Sequence, residues 1–132
     1  MKTRVVMFLT LIAGLVMVCG PAFAHHGGGI YDTKNPVTMK GTVTDFQFIN
    51  PHVQIYFDVK DDKGNVVHWA CETISPGKLL RGSGWSKNSL KVGDEITITL
   101  NPARAGTPVG NLKKIVFADG KVLMPTENAP EY

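Results

Sequence analysis

The chain has 132 residues, of which 43% are hydrophobic and 19% are charged, and its formal net charge is +3. A chain of this length supplies one modest hydrophobic core, so we expect one folded domain. The charge lacks the strong basic bias of proteins that bind nucleic acid, and we therefore predict no nucleic-acid partner.

The first 24 residues have the pattern of a secretory signal peptide. Lys2 and Arg4 form its positive start, and residues 5–18 form an apolar run. Ala22 and Ala24 supply small side chains at the two positions that signal peptidase reads. The run is shorter than the roughly 20 apolar residues of a membrane-spanning helix. We therefore expect cleavage after Ala24, export to the periplasm and no stable membrane insertion afterwards. A retained membrane anchor is the alternative.

The two cysteines bear on the same prediction. Cys19 lies inside the signal and offers a second alternative, a lipoprotein acylated at this thiol, although residues 16–18 lack the usual small neighbour. Cleavage after Ala24 leaves Cys71 alone in the mature chain, so no internal disulfide is expected. It also removes two basic residues, which leaves 12 against 11 acidic ones and a net charge of +1.

The mature chain divides into three parts. Residues 25–35 contain three consecutive glycines and no apolar period, which indicates a flexible N-terminal arm. Residues 36–125 carry alternating apolar residues and turn motifs, so we place the folded domain there. Residues 126–132 have the composition of a loose C-terminal tail.

Alternation of apolar and polar residues predicts the strands of this domain. A first strand begins at Val37, and its alternation slips at Asp45, as it does at a β-bulge. A second strand, with Ile55 and Phe57 facing inward, leads through a hairpin at residues 61–64 into a third strand at residues 66–72.

A short helix is predicted at residues 77–81, because Ser75 and Pro76 are typical of a helix start. A fourth strand then places Ile96, Ile98 and Leu100 inward. Residues 101–111 resemble a long loop. A fifth strand follows at 112–118 and a short last one at 121–124.

Three strands, a short helix and two further strands are the element order of the five-stranded oligonucleotide/oligosaccharide-binding barrel, the OB-fold. We therefore predict an all-β fold, a small five- to six-stranded OB-like barrel with one short helix between strands 3 and 4. An open β-sandwich is the alternative.

Short motifs are distributed along nearly the whole mature chain. They are His25-His26, Pro36-Val37-Thr38, Lys40-Gly41-Thr42-Val43, Asn50-Pro51-His52, Tyr56, Trp69, Ser75-Pro76, Gly84-Trp85, Leu90-Lys91-Val92-Gly93-Asp94 and Asp119-Gly120-Lys121. Together they resemble an exported bacterial family, domain of unknown function 6152. The resemblance implies export and a compact β domain, and it implies no activity.

His25 is the residue that most suggests a function. Cleavage after Ala24 would place a free amine and an imidazole on this one residue, and together these groups chelate a transition metal. A third nitrogen would suit Cu(II), and His26 adds another imidazole. We predict that His52 or His68 completes the site, with copper as the first candidate metal.

The predicted register places both of these histidines on the outer face of the hairpin. His68 is expected beside Glu72 on the third strand, and His52 toward the Glu72 end, within reach of both. Cys71 faces inward in this register and is a poor ligand. The competing interpretation is that the histidines are structural or incidental, with His52 bonding the turn backbone and His68 an ordinary surface residue.

A second candidate surface consists of Tyr56, Trp85 and Arg81, whose stacking and hydrogen-bonding groups suit a partner protein or a glycan on the face of strands 2 and 3. A core position for Trp85 is the alternative. No nucleophile–base pair is visible, so we predict a binding protein and not an enzyme. Metal binding is the first hypothesis, and docking of a periplasmic protein or glycan is the second.

Overall fold

A computed structural model describes residues 29–125 of the chain. The elements are β1 (Val37–Gln47), β2 (Gln54–Lys60), β3 (Val66–Glu72), α1 (Pro76–Gly82), β4 (Glu95–Pro102), β5 (Val109–Phe117) and β6 (Val122–Leu123). The predicted signal peptide at 1–24, the histidines at 25 and 26 and the tail at 126–132 lie outside the described residues.

The strands form one sheet that closes on itself. Its order is β3-β2-β1-β4-β5-β6, and an additional pairing of β3 with β5 closes the first five strands into a barrel. Neighbouring strands are antiparallel except β3 and β5, which run parallel. The predicted OB-like barrel with a helix between β3 and β4 is confirmed.

The first strand contributes to both halves of the barrel. Its N-terminal part pairs with β4 and its C-terminal part with β2. The β2 register passes from Val43 to Asp45, so Thr44 is the extra residue of a bulge, one position before the predicted slip. A Cβ at Gly41 would lie 2.8 Å from Phe57 Cδ2, so the strand needs a glycine where it crosses β2.

The connection between β4 and β5 is shorter than predicted. β5 begins at Val109, and residues 109–111, expected in a loop, are the ones that pair with Ala70, Cys71 and Glu72 of β3. The apolar pattern misses this segment because Gly110 occupies an inward position. A Cβ on Gly110 would lie 2.9 Å from the carbonyl oxygen of Asn101.

The helix lies where the sequence predicts it. Pro76 occupies its first turn, and Ser75 has the extended backbone of an N-cap, but the Ser75 side chain makes no capping hydrogen bond. Pro76 and Leu79 are the buried residues of the helix, and Leu79 belongs to the hydrophobic core. No helix in residues 29–125 is long and apolar enough to span a membrane.

Inward-facing side chains from all five barrel strands form the core, and burial of each stabilises the fold by about 1.5–3 kcal/mol. The fully buried apolar members are Val43, Val53, Ile55, Phe57, Cys71, Leu79, Trp85, Ile98, Leu100 and Ile115. The predicted inward faces of β2 and β4 are therefore confirmed. Because successive strand residues alternate, the polar residues of β2 and β3 lie on the outer face, where the candidate site is found.

Candidate functional site

The described part of the N-terminal arm, residues 29–35, lies against the end of β4. Two backbone hydrogen bonds of 2.8 Å hold it there, from Asp32 N to Pro102 O and from Arg104 N to Ile30 O. The Asp32 carboxylate accepts further hydrogen bonds within the turn that leads to β1. This part of the arm, predicted to be flexible, thus has defined contacts with the barrel.

Glu72, the last residue of β3, joins the arm to the start of β2. The Tyr31 hydroxyl donates to Glu72 Oε1 at 2.7 Å, and His52 Nδ1 lies 3.2 Å from Glu72 Oε2. We call these three residues the Glu72 cluster. Each carboxylate oxygen has one partner in it, so the cluster connects three separate segments of the chain.

The hydrogen bond to Glu72 determines how His52 presents its second nitrogen. An ionised carboxylate only accepts hydrogen bonds, so His52 donates through Nδ1–H and a neutral ring carries its lone pair on Nε2. The His52 side chain is 51% exposed, whereas that of Glu72 is 28% exposed. The imidazole is therefore held by a half-buried carboxylate and remains accessible to a ligand.

The strand register explains this meeting of residues. Glu72 is opposite Gln54 of β2 and beside Asn111 of β5. His52 is two residues before Gln54, so an antiparallel hairpin brings it to the Glu72 end, as predicted. The side chain of Asn111 also donates to the carbonyl oxygen of Glu72, at 3.5 Å.

Burial changes the proton affinity of two groups around Glu72. It raises the pKa of the Tyr31 hydroxyl, and the hydrogen bond to Glu72 and its negative charge raise that pKa further. Tyr31 therefore stays a neutral donor at physiological pH. Burial also raises the pKa of the Cys71 thiol, which is 0% exposed. Since the thiolate is the form that binds metal, Cys71 is a poor ligand.

His68 forms a separate pair at the other end of the hairpin. Its Nδ1 lies 2.6 Å from Asp58 Oδ1, and Asp58 is directly opposite in the β2 register. The His68 side chain is 82% exposed. Because His68 precedes Glu72 by four residues of an extended strand, the two lie about 13 Å apart along β3. His68 does not join the Glu72 cluster.

A complete metal site is not formed by the described residues. Within residues 29–125 no group of three or more histidine, cysteine, aspartate and glutamate side chains could hold a metal ion. These residues supply one oriented imidazole at the Glu72 cluster and a second beside Asp58. The predicted ligands His25 and His26 lie outside the described residues.

The residues of the second predicted surface lie in different environments. Tyr56 is half-buried on the outer face of β2, and Arg81 is exposed in the last turn of α1. Trp85 is 1% exposed, and its Nε1 donates to the carbonyl oxygen of Met124 at 2.8 Å. Its ring also contacts Phe46, at a centroid distance of 6.4 Å. Trp85 is thus a core residue and does not contribute to an outer surface.

Two open grooves on the outside of the barrel were not expected from the sequence, a smaller one mainly along β4 and β5 and a larger one mainly along β1 and β2. Their volumes are about 240 and 470 Å³, and Lys40 and Glu95 line both. The larger groove also contacts Lys60 and Asp58, the partner of His68. Both combine lysines with carboxylates, so neither selects one sign of charge.

Comparison with known proteins adds a family to this geometry. The model of a family of unknown function, DUF6152, matches residues 13–112. The chain belongs to this family. The span that matches DUF6152 includes the whole Glu72 cluster and all four histidines. No curated protein and no solved structure matches the chain with significance.

Sequence reasoning missed Tyr31, the residue that attaches the arm to the Glu72 cluster. The arm was assigned from its glycines, although Ile30 and Tyr31 are its only large apolar residues. A further indication was available in Asp32, whose carboxylate bonds Lys34 N at 3.1 Å in an Asx-type turn.

Proposed function

We propose that this protein is an exported metal-binding protein whose site, for copper(II) first, is formed by His25 and His52. The contact between His52 Nδ1 and Glu72 carries the proposal. Metal-binding histidines commonly donate their second ring N–H to a carboxylate, which fixes the tautomer and orients the ring. His52 has this arrangement and an accessible Nε2.

The path of the arm supports a contribution from His25. Tyr31 follows His25 by six residues, and six residues span at most about 20 Å. The Tyr31 hydroxyl binds the same carboxylate that holds His52, so the described part of the arm lies close to that imidazole and His25 would be within reach of it. His26 lies one residue nearer and is the second candidate from the arm.

The donor types favour copper. Cleavage after Ala24 would give His25 a free amine, so that amine and imidazole chelate one ion and His52 Nε2 supplies a third nitrogen. Nitrogen donors bind Cu(II) more tightly than other divalent metals of the first transition row. The reference pKa values of an amine and an imidazole are about 8 and 6.5, so a metal displaces their protons easily near neutral pH.

The test is calorimetric titration of Cu(II) into mature protein whose N-terminus has been verified by mass spectrometry. We expect one ion per chain, and a variant with one alanine added before His25 should bind at least about tenfold more weakly. The added residue keeps every imidazole and removes only the amine from His25. Equal affinity of the two proteins would contradict a site at the N-terminus.

A second candidate function is docking of a glycan or partner protein on the outer face of β2 and β3. Tyr56 supports it, because its half-buried ring lies on the outer face of the hairpin, opposite the small Ala70. Tyr56→Ala should then abolish capture of the ligand, and Tyr56→Phe should retain most of it. Capture that survives in Tyr56→Ala would exclude this face.

A further inference from the structure

The contact of Tyr31 with Glu72 differs from the other attachments of the arm. The two backbone hydrogen bonds, at Asp32 and Arg104, fix the arm to the end of β4. The Tyr31 hydroxyl instead reaches a side chain on β3 that also holds His52. The Glu72 carboxylate therefore connects the position of the arm with the orientation of the His52 imidazole.

The two hydrogen bonds on Glu72 support each other. A hydrogen bond from a neutral hydroxyl to a carboxylate is charge-assisted, and at 2.7 Å it is well formed. It fixes Oε1, and this leaves Oε2 directed at His52 Nδ1. Without the Tyr31 hydroxyl, the carboxylate would rotate more freely, and the orientation of the His52 ring would be lost with it.

We infer that Tyr31 is a positioning residue of the metal site, and that docking of the arm and metal binding at His52 stabilise each other. The inference rests on the proposed function. It goes further because it assigns a role to a residue that binds no metal itself. Coupling of two equilibria is reciprocal, so each event should strengthen the other by the same factor.

Tyr31→Phe separates this role from that of a ligand, since phenylalanine keeps the ring and loses only the donor. We expect its Cu(II) affinity to fall about tenfold, within the usual range for an outer-shell partner. At saturating copper, the electron paramagnetic resonance spectrum should show the same nitrogen ligands as the original protein. Lower affinity with an unchanged ligand set is the expected signature of a positioning residue.

The reciprocal effect is measured by amide hydrogen exchange. The amides of Asp32 and Arg104 form the arm–barrel hydrogen bonds, so Cu(II) should slow their exchange by about tenfold. The Gly64 amide, which bonds Asp61 O in the β2–β3 turn, is the control and should not change. In Tyr31→Phe the copper-dependent slowing should disappear.

A second variant covers the case in which Tyr31→Phe does not fold. Glu72→Gln replaces one acceptor oxygen by an amide nitrogen that only donates, so the present hydrogen bonds of Tyr31 and His52 to two separate oxygens cannot both persist. It should show the same loss of affinity and of copper-dependent protection. Asp58→Asn makes the matched change beside His68 and should leave both quantities unaltered.

The outcomes are distinguishable. Affinity and amide protection that are unchanged in Tyr31→Phe and Glu72→Gln would overturn the inference, while copper binding itself would stand. If the original protein with His25 at its N-terminus binds no copper, the proposed function fails and the inference fails with it. If Tyr31→Phe loses the copper-dependent amide protection but keeps the same nitrogen ligands, both the proposed function and the inference are supported.

Discussion

The outer face of the β2–β3 hairpin carries two histidine–carboxylate pairs with different surroundings. The His68–Asp58 pair has the shorter contact, 2.6 Å against 3.2 Å for His52 and Glu72. It is also much more exposed, since the His68 side chain is 82% exposed and that of His52 is 51% exposed. Among residues 29–125, Glu72 has a further side-chain partner, the Tyr31 hydroxyl, and Asp58 has none.

The difference shows that the length of a hydrogen bond does not by itself identify a site. Exposed pairs are screened by water and usually contribute little. The two carboxylates are about equally exposed, 28% for Glu72 and 30% for Asp58, so they do not separate the pairs. The Glu72 cluster differs in its less exposed imidazole, in its second donor and in a chain segment that leads toward His25 and His26. Any functional difference between the two histidines should therefore follow these surroundings.

The largest expected contrast is in copper affinity. His52→Ala should weaken Cu(II) binding by about 100-fold, or about 2.7 kcal/mol, because it removes a ligand. His68→Ala should change the Cu(II) affinity by less than about twofold, because His68 lies roughly 13 Å from Glu72 along β3. Calorimetry on the two variants measures both. A larger loss of affinity in His68→Ala than in His52→Ala would indicate that His68 supplies the third ligand.

The next contrast is in folding stability without metal. Glu72→Ala should lower the free energy of unfolding by about 1–2 kcal/mol, because it leaves the partly buried Tyr31 hydroxyl without its acceptor. Asp58→Ala should cost less than about 1 kcal/mol, since its partner is open to water. Urea unfolding at neutral pH compares the two. Equal losses would remove the distinction between the pairs.

A smaller effect is expected at high pH. The folded-state pKa of Tyr31 is raised above its unfolded value of about 10, so the folded protein retains this proton when the unfolded chain releases it. The contribution is complete below about pH 10 and is lost as the pH rises further. The free energy of unfolding should therefore fall less steeply above pH 10 in Tyr31→Phe. Parallel curves for the two proteins would contradict this.

The smallest effect concerns the exposed pair itself. A double-mutant cycle on His68 and Asp58 should give a coupling energy of about 0.5 kcal/mol, and high salt should reduce it. The same cycle on His52 and Glu72 should respond less to salt, because the His52 side chain is less exposed than that of His68. A salt-independent His68–Asp58 coupling would indicate a more structured environment than the exposure suggests.

Much of the fold was predictable because it depends on local patterns. Period-two alternation identified β2 and β4, and a slip in parity located the bulge to within one residue of Thr44. The predicted β5 began three residues too late because Gly110 has no side chain, and a pattern of alternating apolar residues does not reveal an inward-facing glycine. The residues that close the barrel were therefore assigned to a loop.

The candidate site was only half predictable for a related reason. His52 and Glu72 are joined by a hairpin, so the antiparallel register sets their proximity once the strands are known. Tyr31 and Glu72 are 41 residues apart, and no strand register relates the arm to β3. That contact depends on how the arm crosses the end of β4, which is decided by tertiary packing.

The most direct test of the account is anomalous diffraction at the copper absorption edge, from crystals of the mature protein loaded with one equivalent of Cu(II). The account predicts one principal peak about 2 Å from His52 Nε2, with the nitrogen atoms of His25 as neighbours and the Tyr31–Glu72 hydrogen bond intact. A principal peak at His68, or no peak within bonding distance of His52, would contradict it.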